Sequence, residues 1–229
     1  MNFDKIFPDK IPMDFEQIKK NICLIGKKRK SSFFNQFKDE TQKGLDFLNN
    51  LEVAADFTES GTGLFINKST VLTATHVYES AKNHIKEVQI HCGNTTWYGS
   101  LDKSYKDSCT LKIRDNYKKG VTKFKTANFR MPIGTTLRVI GYPYSCLNLR
   151  YAEGKVLDND ESLTTIESNV PAVVGLSGSP VFVDDNGNGN CGPLLIGVVS
   201  YGDKQEIRYF NEDDRVVTQI SKLKNLGIF

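Results

Sequence analysis

Apolar residues in this chain fall in short runs bounded by clusters of Gly, Asn, Asp, Ser and Lys, the pattern of strands joined by tight turns. Residues 21–26 (NICLIG) read as a first strand. Residues 63–66 and 71–74 flank Asn67, Lys68 and Ser69, which predicts a hairpin. In residues 88–92 (VQIHC) polar and apolar positions alternate, and in residues 107–113 Cys109, Leu111 and Ile113 share one face of a strand. PVFV at 180–183 is another strand, followed by DDNGNGNCG at 184–192, a turn by its Gly, Asn and Asp content. Its oxygen-rich side chains raise calcium as an alternative, but the ligand spacing of a known calcium loop is missing.

Other stretches depart from the strand pattern. Residues 15–20 predict a short helix, and Val217, Ile220, Leu223 and Leu226 recur at helical spacing, predicting a C-terminal helix over about 218–229. Between Ser31 and Leu51 an insertion carries Phe33, Phe34, Phe37, Leu45, Phe47 and Leu48 at partly helical intervals. Packing over neighbouring strands is expected for it, with gating of a cleft or contact with a partner as alternatives. Lys27, Lys28, Arg29 and Lys30 read as a solvated hairpin tip rather than a nuclear signal or an anion site. A basic connector with Lys118, Lys119, Lys123 and Lys125 follows Ile113.

Composition narrows the class. At 229 residues the chain suits one domain with an ample core. A formal net charge of +3 is too small to imply a specific nucleic-acid partner. The opening MNFDKIFPDKIPM lacks the apolar centre of a secretory leader, and no run approaches membrane-spanning length, so no membrane partner is expected. Five cysteines without C-x-x-C spacing argue against a disulfide framework or a zinc site. A cytoplasmic, reducing location is the expectation.

Chemistry enters at GLSGSPVF, residues 175–182. Ser177 stands between glycines that free the backbone around it. A serine hydroxyl is a poor nucleophile at neutral pH and needs a base and N–H donors for the oxyanion formed on attack. The Gly175 and Ser177 amides are candidate donors; a glycine-rich turn before a strand is the alternative reading. Of three histidines, His76 lies just past a strand end, where a side chain can project into a cleft. His84 sits in a polar stretch and His91 on a surface strand. Asp107 lies in register with a buried strand face, and a carboxylate there needs a partner. Asp102 and Asp115 read as solvated loop acids.

In order, Gly61-Thr62-Gly63, LTATHV at 72–77, DSCTLKI at 107–113, IGYP at 140–143, GLSGSPVF and VSYG at 199–202 resemble the motifs of trypsin-like, chymotrypsin-fold serine peptidases. Within that family the chain most resembles the HtrA and glutamyl-endopeptidase (V8-like) branch. The resemblance implies an all-β fold of two six-stranded antiparallel barrels with the active site in the cleft between them. The first barrel would span about 22–113, a connector 114–134 and the second barrel 135–217, ahead of the C-terminal helix. It further implies a triad of His76, Asp107 and Ser177, an oxyanion hole from the Gly175 and Ser177 amides, and binding of substrate backbone by Ser200, Tyr201 and Gly202. No metal or organic cofactor is required, and a polypeptide is the substrate.

One departure matters. Leu176 precedes the nucleophile where secreted trypsins carry Asp and this branch usually carries Asn, so activation by pairing with a freshly cut N-terminus is not expected. Reading back from Ser177, the specificity pocket would have Pro171 and Ala172 at its floor, with no carboxylate for Arg or Lys; Asp203 and Glu206 are the alternative attraction for basic side chains. Two further readings stand beside an active peptidase. One is a catalytically silent module that binds peptides or a partner protein. The other is an enzyme whose oxyanion loop is ordered only by an activating protein partner.

Overall fold

The computed structural model describes residues 6–8, 10–28, 57–115, 120–126, 130–143, 148–159, 164–171, 173–184, 193–202, 218–223 and 226. The 31–51 insertion, the 185–192 turn residues, Lys118, Lys119, Arg29 and Lys30 lie outside them. Among the described residues, strands β1 (Ile22–Lys28), β2 (Phe57–Asn67), β3 (Thr70–Ala74), β4 (Glu87–Cys92), β5 (Thr95–Tyr105) and β6 (Ser108–Ile113) close an antiparallel barrel in the order β1-β2-β3-β6-β5-β4. Strands β7 (Thr136–Gly141), β8 (Arg150–Asn159), β9 (Thr165–Ser168), β10 (Pro180–Val183), β11 (Leu194–Gly202) and β12 (Thr218–Lys222) close a second barrel. Its order, β7-β8-β9-β12-β11-β10, repeats that of the first. Closure leaves no unpaired sheet edge within either barrel.

Each barrel is filled by its inward-facing strand residues, Phe65, Val71, Ile90 and Leu111 in the first and Leu137, Val139, Val181 and Ile196 in the second. A third apolar cluster joins residues of both barrels, with Ile22, Leu64 and Leu72 from the first meeting Ile140, Phe182 and Val198 from the second. The segment before β1 completes that layer. Its 3₁₀ turn Met13–Phe15 and helix α1 (Glu16–Lys19) bury Phe15 and Ile18, and Phe15 meets the Phe182 and Tyr151 rings edge-on at 5.3 and 5.7 Å. Burial of the layer at about 25 cal/mol per Å² favours docking of the two barrels and hence existence of the cleft between them.

The expected C-terminal helix is not what residues 218–222 form. They are strand β12, pairing Val199 with Ile220 on one side and Ser168 with Thr218 on the other, so the second barrel runs past 217 to Lys222. Gln219 is exposed, but Ile220, Ser221 and Lys222 are all buried, so the alternation that marks a half-buried strand is missing. Ile220, Leu223 and Leu226 then mimic a helical period. The chain turns after the strand, with Leu226 N–H donating to Leu223 O, and both leucines enter the layer between the barrels. Among the described residues no helix is long and apolar enough to cross a membrane.

Candidate active site

Strand β3 ends at Ala74, and helix α2 (Thr75–Ala81) starts at once, burying Val77, Tyr78 and Ala81 against the first barrel and setting His76 in its first turn. Ala74 has no side-chain oxygen to cap the exposed N–H groups of that turn. Asp107 supplies one from another loop. It sits in the two-residue turn between β5 and β6, where Tyr105 pairs with Ser108 and Lys106 takes a φ of 54°. Asp107 Oδ1 accepts from the His76 main-chain N–H at 2.9 Å, and Asp107 O accepts from Thr75 N–H at 3.0 Å. Asp107 Oδ2 lies 2.6 Å from His76 Nδ1. The carboxylate therefore holds both the ring and the backbone that carries it.

A fourth group completes this cluster. Ser200 Oγ donates to Asp107 Oδ2 at 2.6 Å, across the gap between the barrels. The β11–β12 register shifts between Val199 and Tyr201, and such a bulge re-aims the side chain at its centre. Sequence reasoning assigns Ser200 to substrate backbone alone and misses this contact, because nothing local to VSYG points to a carboxylate in the other barrel. Asp102, expected in a loop, lies exposed on β5 and accepts from Thr110 Oγ1 at 3.3 Å. His84 is exposed, and His91 Nδ1 lies 2.9 Å from Thr96 Oγ1.

Burial pushes the Asp107 carboxyl upward, but hydrogen bonds from the His76 ring, the Ser200 hydroxyl and the His76 main chain outweigh it and hold it below the usual carboxylate range. An acid depressed in the folded state binds fewer protons there than in the unfolded chain. Its contribution is complete above the unfolded value of about 3.9 and is lost as pH falls through the folded value. Urea midpoints measured between about pH 2.5 and 6 are expected to fall with acid more steeply for wild type than for Asp107→Asn. Parallel curves would show that the carboxylate is not held this way.

The Ser177 loop rises from the second barrel and is tied at several points. Leu176 N–H donates to Val173 O at 3.1 Å, Ser179 N–H to Leu176 O at 2.9 Å, and Gly178 N–H to Val199 O at 2.7 Å. Gly175 and Gly178 have φ of 91° and 80°, in the left-handed region that favours glycine. A Cβ at Gly178 would also lie 2.2 Å from both Thr62 O and Thr73 Oγ1, so the first barrel approaches the loop as closely as backbone allows. Gly61 stands where the loop meets α2: a Cβ there would lie 2.5 Å from Val77 Cγ2 and 2.7 Å from Ser177 O. Ser177 is half-buried. Among the described residues the amides of Gly175 and Ser177 donate to no protein acceptor, and His76 Nε2 and Ser177 Oγ share no hydrogen bond.

Competing nucleophiles are poorly placed. Cys109, below Asp107 on β6, is fully buried, and burial pushes its thiol up to about 12; Cys23 is raised well above its ordinary value by the same cause. Tyr201 and Gly202 continue β11, where they pair with Gln219 and Thr218. Pro171 is half-buried ahead of the loop, while Ala172, Asp203 and Glu206 lie outside the described residues.

Two closed six-stranded antiparallel barrels with these groups at their junction are the architecture of the chymotrypsin-like proteases. The chain belongs to the trypsin family, whose family pattern matches residues 40–225. No curated protein matches it in sequence. Among solved structures it is similar to the inactive form of the Mycobacterium tuberculosis protease Rv3671c, at 16% identity and a TM-score of 0.58, covering 93% of this chain and 88% of that one. The active form of the same protease matches with a TM-score of 0.58 at 15% identity, covering 93% of this chain and 80% of that one. A serine endoprotease from Yersinia pestis matches at 15% identity and a TM-score of 0.58, covering 93% of this chain, which spans 64% of that protein's length. At such identities the likeness is one of fold, and membership of the trypsin family supports peptidase chemistry.

Proposed function

We propose that this protein is a serine endopeptidase of the HtrA and V8-like branch, with His76, Asp107 and Ser177 as its triad. The observation that carries the reading is the grip of Asp107 on His76 at both ring and backbone. A carboxylate on Nδ1 leaves the other ring nitrogen, Nε2, as the basic site. His76 Nε2 takes the proton of Ser177 Oγ as that oxygen bonds to the scissile carbonyl carbon. The negative charge that collects on the carbonyl oxygen is met by the Gly175 and Ser177 amides, which have no acceptor among the described residues. Protonated His76, stabilised by Asp107, returns the proton to the leaving amine and the peptide C–N bond breaks. Water then hydrolyses the acyl-enzyme by the same proton path. Substrate backbone would lie along β11 beside Tyr201 and Gly202 as an added strand.

The three described cysteines, Cys23, Cys92 and Cys109, are buried and in no disulfide among the described residues, which supports a reducing cytoplasmic setting. One observation favours the second reading, a peptide-binding module without catalysis or an enzyme that waits for a protein activator: Nε2 and Ser177 Oγ are not hydrogen-bonded in this state. Such bonds often tighten only with substrate in place. The test is mass spectrometry after exposure to a fluorophosphonate. A single adduct is expected on wild type, lost in Ser177→Ala and kept in Ser179→Ala, since the buried Ser179 hydroxyl has no hydrogen-bond partner among the described residues. No adduct on wild type would favour the silent or partner-dependent reading.

A further inference from the structure

We propose that Thr62, on β2 of the first barrel, is the positioning residue that sets the oxyanion donors of the Ser177 loop. The proposal builds on the peptidase reading above and names what holds that site in shape. Thr62 is fully buried, and all of its polar groups are engaged. Its N–H donates to Ser177 O at 2.8 Å. Its hydroxyl donates to Gly175 O at 2.9 Å and accepts from Tyr142 N–H at 3.0 Å, while its own carbonyl accepts from Thr73 Oγ1 at 2.8 Å. The two residues whose amides have no acceptor among the described residues, Gly175 and Ser177, are thus the two whose carbonyls this one threonine holds.

The hydroxyl is the part that only Thr or Ser can supply. A backbone N–H on Ser177 O would be present with any non-proline residue at position 62. The tie to Gly175 O would not. Gly175 has the widest torsional freedom of any residue type, so an anchor on its carbonyl narrows the rotations about its Cα, between the peptide plane that carries this carbonyl and the one that carries its amide, and φ there is 91°. The Leu176 side chain has no polar atom to add to the main-chain ties of the loop; it is buried among the apolar residues of the second barrel. The same Thr62 oxygen also receives Tyr142 N–H at the end of β7, so loop, β7 and first barrel meet on one atom. A hydrogen bond between buried groups of fixed backbone is directional, and its loss leaves Gly175 O and Tyr142 N–H without that partner.

The experiment compares wild type with Thr62→Val, which keeps the shape and removes the hydroxyl, and with Thr62→Ser, which restores it. Thr62→Ala is the second variant should Thr62→Val fail to fold. Amide ¹H–¹⁵N signals of Gly175 and Ser177 are recorded together with the fluorophosphonate labelling rate and peptide kcat and KM. In the hydroxyl-less variant both amide signals are expected to move while the His76 ring signals stay. Labelling and kcat should fall about 10- to 100-fold, less than or comparable to loss of one oxyanion donor, with KM within about threefold. Thr62→Ser should return the signals and the rate. Unmoved amide signals, or labelling at the wild-type rate, would overturn the role of Thr62. A wild type that does not label would instead favour the silent or partner-dependent reading of the site, and the amide signals alone would then decide whether Thr62 orients the loop.

Discussion

Replacing Ser177 by alanine is expected to lower kcat for peptide hydrolysis about 10⁵-fold or more, and His76→Ala should do nearly the same. The two residues act on one proton and one bond, so the double variant should be little worse than either alone. Multiplying losses would mean that they act independently, against the proposed mechanism. Stability offers the control. Ser177 is half-buried and its hydroxyl makes no hydrogen bond among the described residues, so Ser177→Ala should leave the unfolding free energy from urea titration within about 0.5 kcal/mol of wild type. A variant that keeps activity within tenfold of wild type would remove Ser177 as the nucleophile.

Leu176→Asp, which introduces the residue of secreted trypsins, is expected to be the most destabilising change in the loop. Leu176 is 1% exposed and lies in the cluster that includes Val139, Val173, Val181, Val199 and Phe7. The substitution removes about 2 kcal/mol of apolar burial and sets a carboxyl among hydrocarbon, for a total loss of roughly 4 kcal/mol or more at neutral pH. Burial raises the pKa of the introduced carboxyl above its unfolded value, so the folded state binds more protons between the two values and stability falls as pH rises through that range. The deficit in urea unfolding should therefore be smaller at pH 4 than at pH 8. An equal deficit at both would show that the carboxyl escapes to solvent and that position 176 is not anchored in the core.

Much of the site was legible because its chemistry demands particular residue types at particular local positions. A nucleophile flanked by glycines, a histidine at a strand end and an acid in register with a buried face are local statements, and GLSGSPVF, LTATHV and DSCTLKI carry them within a few residues each. Turn chemistry was legible for the same reason: Asn67 Oδ1 accepts from Ser69 N–H in the predicted hairpin turn, a contact spanning two residues. The C-terminal strand was not, because burial on both of its faces erases the alternation by which strands are recognised. Nor did the apolar segment ahead of β1 reveal that Phe15 would lie between the barrels, since a buried aromatic does not say what buries it.

By itself, then, the sequence determined the all-β class, the order of the strands' hydrophobic faces and the candidates His76, Asp107 and Ser177. Tertiary structure alone decided which strands close each barrel, that Ser200 reaches Asp107 and that Thr62 reaches Gly175. Those contacts join residues 93 and 113 positions apart, on different barrels. Local pattern records what each segment must bury or turn, whereas pairings of this kind exist only once two closed barrels dock and bring distant donors within about 3 Å of their acceptors.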